Sequence, residues 1–225
     1  SWLDAFVDTT AQYTRVSASM ADIGTKEMEI LFNELNPKID SIFNPEKYDV
    51  NIVGVRNSDT KGRVTNAFDD VVTVSYKTPE GEWMYHEYGA TTDPGSHWEK
   101  NLLNEKGVAI LKPGQYRGSH KLRLHQGKYL ALGQKSPVKV YRDNNRDGKY
   151  DLIEENVDEG LFGINIHRAT GRSGGKSIRI DKWSAGCQVI ADNDDWHEFL
   201  EICQTAREIW GNSFTYTLIE SKDIS

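Results

Sequence analysis

Two residues in the C-terminal half have the types and spacing of a nucleophile and its base. His167 closes the apolar run Phe162-Gly163-Ile164-Asn165-Ile166. Cys187 follows twenty positions later, in Lys182-Trp183-Ser184-Ala185-Gly186-Cys187-Gln188-Val189-Ile190. A thiol attacks as its thiolate, which a neighbouring imidazole generates by taking the proton. Small residues before Cys187 (Ser184, Ala185, Gly186) let the backbone turn tightly and aim N–H groups at a ligand, as an acyl-transfer site needs for its oxyanion. A blander reading competes: a free cysteine is most often a small buried hydrophobe, and a histidine at a strand end is most often structural. Cys203 follows that blander course. Trp196, Phe199, Leu200, Cys203, Ala206 and Trp210 recur at helical spacing, so Cys203 belongs to the buried face of an amphipathic helix over 194–210. Asp and Asn residues at 192–195 supply its N-cap, and Gly211 follows its end.

A second constellation is acidic. The segment 143–154 matches the twelve-residue calcium loop of an EF-hand, with Asp143, Asn145 and Asp147 as ligands one, three and five. Gly148 is the turn residue, Lys149 offers its carbonyl, Asp151 takes the ninth position and Glu154 the bidentate twelfth. Hard oxygens at alternate positions wrap Ca²⁺ while the glycine reverses the chain. The alternative is an acidic surface turn. Since 138–141 reads as a strand where an EF-hand has a helix, the pattern predicts a Ca²⁺ loop grafted between strands, stabilising the fold and remote from any chemistry.

His167 followed by Ser184-x-Gly186-Cys187 resembles the signature of the L,D-transpeptidase catalytic domain, a histidine and then Ser-His-Gly-Cys-(Ile/Val)-Arg. Upstream, Lys112-Pro113-Gly114-Gln115-Tyr116 is similar to the Pro-x-Gly stretch on an early strand of that domain. The resemblance covers roughly 105–191. It implies a β-rich domain in which Cys187 is acylated by a peptidoglycan stem peptide, His167 activates the thiol, and backbone amides around Gly186 and Cys187 hold the oxyanion. It further implies a supporting hydroxyl at Ser184, a cleft wall at Trp183, and cleft-lining histidines among His120 and His125. Ala185 stands where the family has His and Val189 where it has Arg, so one fixed cation is missing. With these departures the segment looks like a divergent branch from phage and prophage-type reading frames. That shifts the expected reaction from cross-linking towards hydrolysis of wall peptides, in the cell envelope, outside the cell or on a virion. A true L,D-transpeptidase is the alternative with the same acyl-enzyme. A non-catalytic virion or injection-device protein is the alternative from another class.

The elements that must position these residues change period along the chain. Residues 1–44 read as a helical segment: Trp2, Phe6, Thr9, Tyr13, Val16 and Met20 alternate spacings of four and three, and Met28, Leu31, Phe32 and Leu35 continue the pattern beyond Gly24. This segment is either a hairpin packed on the main domain or an arm for oligomerisation or docking. From 45 to 225 the pattern is of short strands with turn signals between them: 48–55, 71–76, 82–88, 108–111, 121–125, 129–133, 138–141, 162–167, 177–180, 188–191 and 214–219. The fold class expected is mainly β, a sandwich or barrel-like body with one C-terminal packing helix. Of 225 residues 37% are apolar, enough for a sizeable core. A net charge of -7 without any basic run argues against nucleic acid. No apolar stretch reaches the ~18 residues of a membrane span, and the start of the chain has no signal-peptide pattern. His86 and His97 lack metal-ligand spacing and read as surface residues.

Overall fold

The computed structural model describes residues 48–57, 68–80, 82–93, 108–143, 152–172, 174–175 and 186–221. The helical segment read over 1–44 and the strand read over 177–180 lie outside the described residues. Within them the protein is mainly β. Eleven strands form: β1 (Asn51–Arg56), β2 (Asp70–Lys77), β3 (Trp83–Thr91), β4 (Val108–Leu111), β5 (Gly114–His125), β6 (Tyr129–Gln134), β7 (Val138–Asp143), β8 (Val157–Gly160), β9 (Ile166–Arg168), β10 (Gln188–Ile190) and β11 (Phe214–Glu220). One helix, α1 (Asn193–Trp210), lies between β10 and β11.

Eight strands close into a barrel in the order β1-β11-β5-β6-β9-β10-β3-β2, and β4, β7 and β8 make a separate three-stranded sheet. Closure leaves no barrel strand with an unpaired edge. Pairing is antiparallel except for β1 with β11 and β9 with β10. All six residues of β1 are buried, and its run Ile-Val-Gly-Val is what a strand covered on both faces should carry. The expected hairpin is β2–β3, whose turn is held by the Thr78 N–H on the Glu82 carbonyl at 2.7 Å.

The core lies between one face of the barrel sheet and α1. Ile52, Val74, Leu132, Ile166, Ile190, Tyr216 and Leu218 meet Trp196, Phe199, Cys203 and Ala206 from the helix stripe. Cys203 is fully buried there. Asp192 caps the helix, its carboxylate accepting from the N–H groups of Asp194 (2.8 Å) and Asp195 (3.1 Å). At the other end the Gly211 N–H closes on the Arg207 carbonyl, with Gly211 at φ 95°. His86, read as a surface residue, is half-buried. It lies flat between Tyr76 and Tyr88, and its Nδ1 is 2.9 Å from Glu198. Among the described residues no helix is long and apolar enough to cross a membrane.

Candidate functional site

The site is built on the parallel pair β9 and β10. Gln188 is in register with Ile166 and Val189 with His167, and the Gln188 N–H donates to the Asn165 carbonyl at 2.9 Å. Alternation of the pleat puts Ile166 and Gln188 on the inner face, both fully buried. Asn165, His167 and Cys187 therefore share the opposite face, on neighbouring strands. The two residues singled out for chemistry are brought onto one surface.

The chain before His167 is held in one conformation. Gln134 does most of this: its side-chain carbonyl accepts from the N–H groups of Phe162 (3.2 Å) and Ile164 (2.8 Å), while its amide donates to Gly160 (2.8 Å). The Asn165 side chain returns the contact by accepting the Gln134 N–H at 2.9 Å. Gly163 sits at φ 68°, a region that favours glycine, and this aims its carbonyl at Cys187. The Cys187 thiol donates to that carbonyl at 3.2 Å. Gly186 sits at φ 120°, and a Cβ there would lie 2.3 Å from the Ala109 carbonyl oxygen, so the residue before Cys187 is pressed against β4.

His120 does not line this site. His120 and His125 are an odd number of residues apart on one strand, so they face opposite ways. His120 points into the core with 0% exposure. Its Nδ1 is 2.7 Å from the Ser119 hydroxyl, and its Nε2–H donates to the Ile164 carbonyl at 2.8 Å. With both nitrogens engaged it braces the segment before His167 instead of meeting a substrate, and burial pushes its pKa down to about 4. His125 goes the other way. Its ring stacks on His167 with centroids 4.4 Å apart, and its Nδ1 is 3.4 Å from the Asn165 amide nitrogen.

Three further residues surround the pair, and none was singled out from the sequence. Tyr129 lies opposite His125 across the β5–β6 turn, where Gln126 (φ 52°) and Gly127 (φ 70°) reverse the chain; the ring centroids are 5.4 Å apart. Arg168, at the end of β9, lays its guanidinium over Tyr129, 3.8 Å from the ring centroid. Asn165 is the third. A signal for Asn165 and Arg168 was their position within three residues of His167. Tyr129 becomes visible only through the register of the hairpin.

His167 is 7% exposed, and burial lowers its pKa to about 4 although the Arg168 carbonyl favours the protonated ring. Nδ1 is 2.9 Å from that carbonyl. A carbonyl can only accept, so Nδ1 carries the hydrogen and Nε2 is the basic nitrogen. Cys187 is half-buried, and burial raises its thiol to about 11, against the pull of a backbone hydrogen bond at Asn165. At rest, then, the Cys187 thiol and the His167 imidazole are both neutral.

Trp183 and Ser184 lie outside the described residues, as do Asn145, Asp147, Lys149 and Asp151 of the expected calcium loop. Of that loop, Asp143 ends β7 and Glu154 opens a short 3₁₀ turn. The Lys112 ammonium lies 2.7 Å from one Glu154 carboxylate oxygen and 3.0 Å from the other. Both oxygens thus share one exposed ion pair with Lys112. Among the described residues no three His, Cys, Asp or Glu side chains are grouped to hold a metal. Neither a family model, nor a curated protein, nor a solved structure matches the chain.

Proposed function

We propose that the protein is a cysteine-dependent acyl-transfer enzyme that cleaves peptidoglycan stem peptides. The observation that carries this reading is the β9–β10 register, which sets Cys187 and His167 on one face with the basic nitrogen of His167 identified by its Arg168 contact. In the reaction, the thiol leaves the Gly163 carbonyl and passes its proton to Nε2 of His167 as sulfur attacks the substrate carbonyl. The imidazolium then returns the proton to the leaving amine, giving a thioester. Water, deprotonated by the same nitrogen, resolves the thioester and frees the acid. Burial raises the thiol to about 11 and lowers the imidazole to about 4, which favours the neutral pair at rest and proton transfer in step with attack.

The substrate class rests on the resemblance of His167 and Ser184-x-Gly186-Cys187 to the L,D-transpeptidase signature. An L,D-transpeptidase proper would form the same thioester and resolve it with an amine. In this reading the loop 143–154 holds Ca²⁺ through Asp143, Asn145, Asp147, Lys149, Asp151 and Glu154, with a structural role.

Mass spectrometry of purified muropeptides after incubation with the protein tests the proposal. Shortened peptides are expected from the wild type, and none from Cys187→Ala or His167→Ala, since either partner alone loses most of the rate. Turnover undiminished in Cys187→Ala removes the assignment. Cross-linked products in place of shortened ones make it a transpeptidase.

A further inference from the structure

His125 and His167 lie ring on ring, and the groups around them place their hydrogens. The ring centroids are 4.4 Å apart and the planes are 21° from parallel. His167 carries its hydrogen on Nδ1, because that atom faces the Arg168 carbonyl at 2.9 Å. The tautomer of His125 follows from Asn165. The Gln134 backbone N–H donates to Oδ1 of Asn165 at 2.9 Å, which fixes the amide with its NH₂ at the other end. That NH₂ lies 3.4 Å from Nδ1 of His125 and has only hydrogens to offer, so Nδ1 is the acceptor. A neutral His125 therefore keeps its hydrogen on Nε2. The two stacked imidazoles carry opposite tautomers.

His125 is itself held by a second ring. Tyr129, its partner across β5–β6, lies 5.4 Å away between centroids, with the planes tilted by 53°. Tyr129 meets the buried Trp196 edge-on at 6.2 Å. Its hydroxyl donates at 3.5 Å to the same Arg168 carbonyl that anchors His167. A row of rings thus runs from the core through Tyr129 and His125 to His167. One hydrogen bond at Nδ1 leaves a ring free to rock about that bond, and a ring stacked on its face removes the freedom. The anchor also reaches the Cys187 segment: the Asn165 carbonyl accepts the N–H of Gln188, the residue after Cys187, at 2.9 Å. The charge state agrees with the geometry. Burial, Arg123 and Lys128 all lower the pKa of His125, and an NH₂ donor against Nδ1 opposes a second hydrogen there.

We propose that His125 is a positioning residue for His167: Asn165 anchors its ring with the hydrogen on Nε2, and the ring sets the plane in which His167 accepts a proton. This rests on the acyl-transfer reading above and adds to it the device that aims the base. His125 itself neither attacks the substrate nor exchanges a proton with it.

Long-range proton–nitrogen NMR of the full chain reads each imidazole nitrogen without any need for turnover. The wild type should show hydrogen on Nε2 of His125 and on Nδ1 of His167. Asn165→Asp keeps the acceptor for the Gln134 N–H but turns the donor facing His125 into an acceptor, so a hydrogen should appear on Nδ1 of His125. His125→Ala should lose the resolved Nδ1–H signal of His167. His125→Phe keeps a flat face and should retain it. On muropeptides, His125→Ala should lower kcat about tenfold or more with KM unchanged, the scale of loss for a misaligned catalytic group. His125→Phe should recover part of that loss. A wild-type hydrogen on Nδ1 of His125, a bare Nδ1 in Asn165→Asp, a His167 signal indifferent to His125→Ala, or a raised KM at constant kcat overturns the proposal. The two readings fail separately. Tautomers and His167 signal as expected, with turnover undiminished in Cys187→Ala, sink only the acyl-transfer reading. Turnover abolished in Cys187→Ala but unchanged in His125→Ala sinks only this one.

Discussion

The protonation of Cys187 decides how the site must work, and it yields a quantitative prediction. Burial moves the thiol from 9.0 to about 11. At any pH below the ordinary value, that leaves about a hundredfold less thiolate than an open cysteine has. Alkylation by iodoacetamide follows the thiolate, so the rate at Cys187 should sit far below that of a small thiol at neutrality. It should climb with pH and level off only near 11. Peptide-resolved mass spectrometry reads this site by itself, because Cys203 is fully buried in the core and stays unlabelled while the fold lasts. His167→Gln should leave the labelling midpoint in place while removing turnover, since an imidazole with a pKa of about 4 lends no positive charge at neutral pH. The linkage has the matching sign. Between the unfolded thiol's pKa and the raised folded one, the unfolded chain loses its proton first, so stability attributable to Cys187 falls as pH rises through that window. A labelling curve that levels off near neutrality and collapses in His167→Gln would show a standing thiolate–imidazolium pair, and the burial argument would be wrong.

Two further predictions concern the supports of the site. Gly186→Ala should lower stability in urea by about 2 kcal/mol or more, through strained backbone and a Cβ facing the Ala109 carbonyl oxygen at 2.3 Å; Gly89→Ala, with nothing within 4 Å, should change it by less than about 1 kcal/mol. Equal effects of the two would mean that β4 does not press on Gly186. Added Ca²⁺ should raise the melting temperature, by up to about 2.7 kcal/mol of stabilisation at a hundredfold excess over Kd. Lys112→Met should enlarge the rise by removing the ammonium that competes for Glu154, and Glu154→Gln should blunt it. A melting curve indifferent to Ca²⁺ and to chelator in both forms reduces 143–154 to an acidic turn.

Much of the frame was legible because it rests on local patterns. Alternation marked β2, β3, β6 and β11, and the stripe from Trp196 to Ala206 gave α1 within a residue of its start. The missed elements depend on partners instead. β8 carries Val-Asp-Glu-Gly, with no strand pattern of its own, and forms because β7 offers an edge from Val138 to Tyr141. The strand expected over 162–167 shrinks to Ile166–Arg168, since the N–H groups of Phe162 and Ile164 bond to the Gln134 side chain and not to a neighbouring strand. At the site, Cys187 and His167 could be read from type and spacing. The assignment of His125 to the site and His120 to the core needed only strand parity, a rule the sequence already contained once β5 was known to run regularly against β6 from His120 to His125. Arg168 over Tyr129 was not legible, because it depends on which strand lies next to β9.

Cys187 is also held from behind, by polar groups that an apolar core could have replaced. Inside the barrel, Gln188 accepts the Tyr216 hydroxyl at 2.8 Å and donates to the Thr92 carbonyl at 3.4 Å. Thr92 is fixed in turn by Asp70, which accepts its N–H at 2.9 Å and its hydroxyl at 2.8 Å. Arg56 completes the set, pairing with Asp93 at 2.8 Å and donating to the Thr92 and Leu111 carbonyls, each at 2.8 Å. Such buried charges are weak sources of stability, because desolvation offsets most of their attraction. What they supply here is position. Leu111 belongs to β4, the strand against which Gly186 is pressed, and Thr92 follows β3, which pairs with β10. Arg56 therefore ties together the two elements that flank the Gly186-Cys187 step, and Gln188 locks the next residue to the same network. An apolar side chain at Arg56 would fill the volume, whereas directional hydrogen bonds to the Leu111 carbonyl on β4 and the Thr92 carbonyl just after β3 admit one arrangement. The Gly186-Cys187 step keeps its place ahead of β10 because the face behind it is bonded.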